Sequence, residues 1–184
     1  MDAWLHTVSD KLTKRANAFD IITSKLEGLQ RPVTIVETGC SRYENSWEGD
    51  GNSTIIWDKF VNYFGGQVYS VDIDPNSTAH AKLLVSDKTN VITSDSIEWL
   101  KLVDLKVDLL YLDSYDIDWN NPDPSMRHHE KELNASLHLL SPGSIVAVDD
   151  NLPHVGKGYI VESVALSLGW KPIVDEYIKA WIVT

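Results

Sequence analysis

Six acidic residues stand at or just beyond the ends of short apolar runs in this 184-residue chain: Glu37, Asp72, Asp95, Asp113, Asp149 and Asp150. Carboxylates so placed accept hydrogen bonds from a ligand or hold a hard cation. Glu37-Thr38-Gly39 follows a run that starts at Val33. Glycine there allows a sharp turn and a close approach of a ligand to the backbone, although a plain strand-to-helix turn uses the same residue. Asp72 sits near the end of the run Gln67 to Ile73. A carboxylate there either accepts two hydrogen bonds from a ribose diol or folds back on its own turn. Asp95, between Ser94 and Ser96, is placed to accept from an adenine amino group or to cap the following helix. Each position has a structural reading of its own; the ordered set of three is more specific than any member.

Asp113 follows the run Val107 to Leu112, and Asp149 and Asp150 follow Ser144 to Val148. Brought together, three carboxylates repel, and one or more is driven to take up a proton. A divalent cation removes that conflict, and an all-oxygen donor set suits Mg²⁺, Mn²⁺ or Ca²⁺. Asp116, Asp118 and Asn151 are near enough in sequence to assist, directly or through water. The competing arrangement has one carboxylate capping a helix, another facing water, and no metal.

The elements that must position these residues alternate. Short strands are expected at Val33 to Glu37, Gln67 to Ile73, Asn90 to Thr93, Val107 to Leu112 and Ser144 to Val148, with a closing hairpin of Pro172 to Tyr177 and Ala180 to Val183. Helices are expected between them. One is capped by Ser53 or Thr54, a short one covers about Ala79 to Val85, and one starting at Pro124 carries Met126, Leu133, Leu137 and Leu140 on one face. Strands alternating with helices imply an α/β fold with a parallel sheet covered on both faces, and the hairpin adds an antiparallel edge. Ligands bind such sheets at the carboxyl ends of the strands, where the acidic residues lie. Residues 1–30 form a helical segment carrying Trp4, Val8, Leu12, Phe19, Ile22 and Leu26, broken in its middle, and residues 31–184 form the core of one domain.

The stretches VETGCS, VYSVDID, TSDSIEWL, LLYLDS and LLSPGSIVAVDDN resemble those of class I S-adenosylmethionine (SAM) dependent methyltransferases, from about Val33 to Thr184. The resemblance implies a Rossmann-like seven-stranded sheet with a reversed last strand. It places SAM over the first strands, with the Gly39 turn against the methionine part, Asp72 against the ribose and Asp95 near the adenine. The implied cofactor contacts are Glu37, Gly39, Cys40, Ser41, Asp72, Ile73, Ser94, Asp95, Ser96 and Asp113. One departure is plain: the family's first motif carries two or three close glycines, whereas Gly49 and Gly51 here follow a polar insertion, Tyr43 to Glu48. That insertion is either a mobile surface loop or a lid in which Trp47 covers the ligand. A GxGxxG motif is absent, which counts against a dehydrogenase.

Asp113 with Asp149 and Asp150 is similar to the ligand set of metal-dependent O-methyltransferases of the catechol and macrocin types, and LDSYD is closest to the macrocin-type sugar enzymes. The catechol type has a lysine soon after its strand-four aspartate; the third residue on is here Asp116. The implied cofactors are SAM and a divalent cation, Mg²⁺ first, on Asp113, Asp149 and Asp150. Methyl transfer from a sulfonium needs chiefly alignment, a metal to orient and acidify the acceptor hydroxyl, and a base. Asp113, Asp116 and His129 are the catalytic candidates. His129 shares a helical face with Met126 and Leu133, whereas His128 pairs with Glu132 on the flank. His154 is a further loop candidate, and Trp119, in a loop with Asn120 to Asp123, is placed to meet a sugar or aromatic ring.

The formal net charge of −11 opposes a nucleic-acid partner. No apolar stretch spans a bilayer, and no secretory leader is apparent. The single Cys40 excludes an internal disulfide framework, and the expected compartment is the cytoplasm. The expected partner is a small hydroxylated molecule, a sugar or diol-bearing metabolite, with a homodimer as one way to complete a compact pocket. Two alternatives stand beside this reading: a SAM- or nucleotide-binding module without catalysis, and a methyltransferase-fold enzyme of different chemistry resembling the cephalosporin hydroxylases.

Overall fold

A computed structural model describes residues 10–49 and 51–184 of the chain. Seven strands form one sheet: β1 (Val33–Thr38), β2 (Gly66–Asp72), β3 (Thr89–Thr93), β4 (Leu109–Leu112), β5 (Ile145–Val148), β8 (Lys171–Asp175) and β9 (Lys179–Ile182). A two-stranded hairpin, β6 (Asn151–Leu152) with β7 (Val155–Gly156), stands apart from it. The helices are α1 (Ala16–Glu27), α2 (Ser53–Phe64), α3 (Pro75–Leu84), α4 (Ser96–Leu102), α5 (Asp123–Ser136) and α6 (Tyr159–Ser167). The strand order is β3-β2-β1-β4-β5-β9-β8. The first five strands pair in parallel, and β9 runs antiparallel to both β5 and β8. This is the Rossmann-like α/β sheet with a reversed last strand that the sequence implies. Among the described residues no helix is long and apolar enough to cross a membrane.

Alternate residues of the central strands feed opposite faces, as the two-residue period requires. Ile35, Leu109, Tyr111, Ile145 and Ala147 pack with Phe19, Ile22, Trp57 and Phe60. Val36, Leu110, Leu112, Val146 and Val148 pack with Leu100, Leu133, Val161 and Trp181. Both faces are therefore covered, which explains the near-continuous apolar runs. The strand order reverses between β1 and β4, so the crevice for a ligand opens at their carboxyl ends.

Three local expectations change. The break in the N-terminal helical segment is a 3₁₀ turn at Thr13–Arg15, with Thr13 at φ +47°; Trp4 and Val8 lie outside the described residues. Neither Ser53 nor Thr54 caps α2. Its N-cap is Asn52 in left-handed conformation, because the Thr54 hydroxyl is committed to Glu37. The buried stripe of α5 is polar, comprising Ser125, His129, Glu132 and Ser136 beside Leu133, while Leu137 is exposed. Of these groups Glu132 meets hydroxyls on neighbouring elements, Ser125 donates to the Tyr115 carbonyl and Ser136 to the Leu133 carbonyl of its own helix, while His129 Nε2 is buried without a hydrogen-bond partner.

Candidate functional site

Gly39 leaves β1 at φ +84°, and a Cβ there would fall 2.7 Å from the Asp113 carbonyl oxygen. Only glycine lets the turns after β1 and β4 lie this close. Asp72, at the end of β2, reaches across: its Oδ2 accepts from Cys40 N at 3.1 Å and its Oδ1 from Asp74 N at 2.8 Å. Beneath the turn, fully buried Glu37 accepts from Thr54 Oγ1 at 2.7 Å and Ser70 Oγ at 2.6 Å through Oε2. Its Oε1 has no hydrogen-bond partner, and neither do Ser41 Oγ and Asn52 Oδ1 nearby. Burial pushes the Glu37 pKa up to about 7, against hydroxyls that pull it down and with Asp72 adding to the rise.

Two cavities meet at Asp72, Ser114 and Tyr115. One, of about 330 Å³, is mostly apolar and bounded by Val71, Ile73, Asp95, Ser96 and His128. The other, of about 280 Å³, is polar and includes Gly39, Cys40, Asp113, Asp150, Lys157 and Arg15. Arg42 and Asp116 pair across its exposed rim, Nη1 to Oδ2 at 2.8 Å.

Asp113, Asp149 and Asp150 do converge, but two buried cations meet them. Lys157 Nζ lies 2.8 Å from Asp113 Oδ1 and 2.9 Å from Asp150 Oδ2. Arg15 Nε lies 2.7 Å from Asp149 Oδ2, and its Nη2 lies 3.2 Å from Asp150 Oδ1. Tyr111 donates to Asp149 Oδ2 at 3.1 Å, Tyr177 donates to Asp150 Oδ1, and the Asp150 N–H donates to Asp149 Oδ1. Burial alone would lower the Lys157 pKa, but Asp113 and Asp150 outweigh it and hold the ammonium charged. Burial raises the Asp113 carboxyl well above its ordinary range; Lys157 opposes this, and Asp149 and Asp150 add to it. Asp150 is held below its ordinary range because Lys157 and the Tyr177 hydroxyl outweigh its burial.

A family model described as a methyltransferase domain matches residues 48–151. The chain belongs to this methyltransferase family. A search of curated proteins found no match. Among solved structures, the fold is similar to the MycE methyltransferase from the mycinamycin biosynthetic pathway, in complex with Mg, SAH and mycinamycin VI. The TM-score is 0.64 at 16% identity, over 91% of this chain and 49% of that one. It is also similar to SAH-bound Podospora anserina methyltransferase PaMTH1 (TM-score 0.61, 16% identity, 100% of this chain and 89% of that one). A TehB-like SAM-dependent methyltransferase from Corynebacterium glutamicum gives 0.57 at 12% identity, over 97% of this chain and 99% of that one. The chain spans about half the length of the MycE chain.

Of the residues singled out by sequence, the fold brings Gly39, Cys40, Asp72, Ile73, Asp95, Ser96, Asp113, Asp116 and Asp150 to the two cavities. Asp95 is also the N-cap of α4, accepting from Glu98 N at 3.0 Å, as its capping reading expects. Glu37 and Ser41 lie behind the turn, and Ser94 Oγ turns to the Asp95 carbonyl. His129 faces inward as expected: it is fully buried, lines neither of these two cavities, and its Nδ1 contacts the Ser125 carbonyl at 2.7 Å. Burial lowers its pKa to about 4, although Glu132 pulls upward. His128, placed on the flank by the spacing, is the histidine that reaches one of these two cavities. Trp47 packs against the core under Lys11 rather than over either cavity. Trp119 is exposed, and His154 borders a separate cavity with Lys14 and Tyr177.

The largest omissions are Arg15, Lys157 and Glu132. Arg15 also donates to the Glu48 and Gly49 carbonyls at 3.3 and 3.4 Å, fastening the polar insertion to the acidic strand ends. Lys157 is delivered by the β6–β7 hairpin, which the sequence reading did not contain. Asn151 clamps it: Nδ2 donates to the Val148 carbonyl at 2.9 Å and Oδ1 accepts from Gly158 N at 2.9 Å. Glu132 accepts from Thr38, Ser96 and Ser114 hydroxyls and pairs with His128 at 3.3 Å. It thus ties β1, α4 and the turn after β4 to α5. The signals were there in retrospect: a glycine on each side of Lys157, and a lone arginine beside an apolar helical stripe.

Proposed function

We propose that this methyltransferase moves the methyl group of SAM to a hydroxyl of a small polyhydroxylated molecule, a sugar or a diol-bearing metabolite. The observation that carries the reading is the position of Asp72, between an apolar and a polar cavity of ligand-binding size. A nucleoside lies across such a junction with its ribose at the carboxylate and its base on the apolar side. The residues fit SAM on three further counts. Gly39 leaves a cradle that a Cβ would fill. Glu37 Oε1 and Ser41 Oγ are buried without partners near that turn. The polar cavity carries Asp72, Asp74, Asp113, Asp116 and Asp150 against Arg15, Arg42 and Lys157, an acidic excess that suits a cation.

SAM supplies a sulfonium-bound methyl group whose departure leaves a neutral thioether. The chain's part is then to align an acceptor oxygen and to take its proton. Asp113, raised by burial and facing the polar cavity, is the proton acceptor in this reading. Asp116, at the exposed rim and paired with Arg42, is placed for acceptor binding rather than for proton transfer. The net charge of −11 favours a small acceptor over a nucleic acid.

The divalent cation of the sequence reading does not fit the donor set as arranged. Five of the six oxygens of Asp113, Asp149 and Asp150 already accept from Lys157, Arg15, Tyr111, Tyr177 or the Asp150 N–H. Among the described residues no group of three or more His, Cys, Asp or Glu is arranged to hold a metal ion. No step of the reaction is therefore routed through a metal.

Calorimetric titration with SAM and with SAH tests the cofactor half. A panel of sugars, catechols, simple alcohols and amines, assayed for SAH release, tests the acceptor half. Micromolar SAM binding with turnover on polyols is the expected result. Absence of SAM binding would overturn the reading, and turnover on amines alone would overturn its acceptor.

A further inference from the structure

We infer that the Lys157 ammonium fills the place between Asp113 and Asp150 that a divalent cation would need, so that this chain works with a resident cation of its own. The Nζ sits between one oxygen of each carboxylate, at 2.8 and 2.9 Å. An ammonium has three donors. Two are spent there, and the third has only the Asp113 carbonyl at 3.5 Å. A metal bound to the same oxygens would need them at about 2.0–2.6 Å, in the space the ammonium occupies. The Lys157 side chain is 1% exposed, so a metal at these oxygens would have to displace a buried ammonium. The charge count agrees. Three carboxylates face two buried cations, Lys157 and Arg15, which leaves at most one negative charge rather than the two or three that recruit a divalent ion.

The local fold makes this arrangement a built one. Lys157 follows Gly156, whose Cβ, were there one, would lie 2.6 Å from Asn151 Cα, and precedes Gly158, whose Cβ would lie 2.8 Å from Asn151 Oδ1. The hairpin closes tightly on Asn151, and Lys157 stands between its two glycines with its ammonium on both carboxylates. Lys157 borders the polar cavity. On the methyltransferase reading, its third N–H is the donor that orients the acceptor oxygen. The charge arrangement itself does not depend on that reading.

The probe is Mn²⁺ alone, titrated into protein stripped with chelator and followed by electron paramagnetic resonance, with no SAM or acceptor present. Wild-type protein is expected to bind no stoichiometric Mn²⁺. Lys157→Met is expected to gain one Mn²⁺ with affinity at least about tenfold above wild type, and Lys157→Met with Asp113→Asn to lose it again. One Mn²⁺ bound by wild type and lost in Asp113→Asn would overturn the inference, as would a folded Lys157→Met that gains none. If Lys157→Met fails to fold, Lys157→Gln takes its place beside the wild-type titration, with the same expected gain. SAM affinity in chelator and in Mg²⁺ is expected to be equal. Failure to bind SAM in both would sink the methyltransferase reading and leave the Mn²⁺ result standing.

Discussion

Arg15 Nε donates to Asp149 Oδ2 at 2.7 Å, joining residues 134 positions apart. Both side chains are essentially inaccessible to solvent. The same guanidinium holds the carbonyls of Glu48 and Gly49 and lies over the Tyr177 ring at 4.7 Å. One side chain thus links the N-terminal segment, the polar insertion and the end of β5. Arg15→Met is expected to cost about 3–5 kcal/mol, because it strands a buried carboxylate rather than removing a neutral contact. Urea denaturation measures that cost. Limited proteolysis is expected to cut first within residues 43–49. A loss below about 1 kcal/mol would place Arg15 among ordinary surface pairs and contradict its burial.

The tight hairpin gives a second prediction. In Gly156→Ala the new Cβ meets backbone, Asn151 Cα and the Asp150 carbonyl, and neither can swing aside like a flexible side chain. The expected loss of stability is about 1–3 kcal/mol. Lys157 shifts with the strand, so methyl transfer should fall more than SAM affinity, which depends on the opposite end of the site. Equal losses in both would mean that the hairpin supports the fold generally and not Lys157.

The seven strands were legible because a strand covered on both faces must be a short apolar run, and carboxylates after such runs stand out. Gly39, Asp72, Asp95 and Asp113 follow from that logic. Charge balance was not legible. Three carboxylates in sequence call for a counter-charge, but the partner of Asp149 is Arg15, far away in the chain, and only the fold brings them together. The α5 stripe misled for a related reason. A helical face is read from its apolar residues, yet Glu132 and the serines around it make a buried polar face. With Glu132 drawn toward Thr38 and Ser114, His129 turns into the interior and His128 into the cavity.

Asp72 offers the cleanest test of the cofactor half. Asp72→Asn keeps the size and one acceptor oxygen, but removes the charge and the ability to accept through both oxygens. Its backbone contacts to Cys40 and Asp74 are partly retained, so the fold should survive. SAM and SAH affinity are expected to fall about tenfold to a hundredfold, the worth of about 1.5–3 kcal/mol of charged hydrogen bonding. The thermal midpoint without ligand should move little. An unchanged dissociation constant would remove Asp72 from the cofactor site.

Two buried groups make opposing contributions to stability over nearly the same pH range. Glu37 rises from 4.5 to about 7 on folding, with burial as its main cause. The folded state therefore binds more protons across that window, and stability from this group is lost as pH rises through it. His129 falls from 6.5 to about 4, again through burial. The unfolded state binds more protons there, so its share of stability is lost as pH falls from 6.5 toward 4. Each shift of about 2.5 pKa units corresponds to about 3 kcal/mol, and the two slopes nearly cancel in wild type. Glu37→Gln removes the first slope, so its stability relative to wild type should climb from pH 4.5 to 7. His129→Gln removes the second, so its stability relative to wild type should decline from pH 4 to 6.5. Urea denaturation of the three proteins at half-unit pH intervals reads both tilts. Parallel curves would show that neither group is held away from its ordinary pKa by the fold.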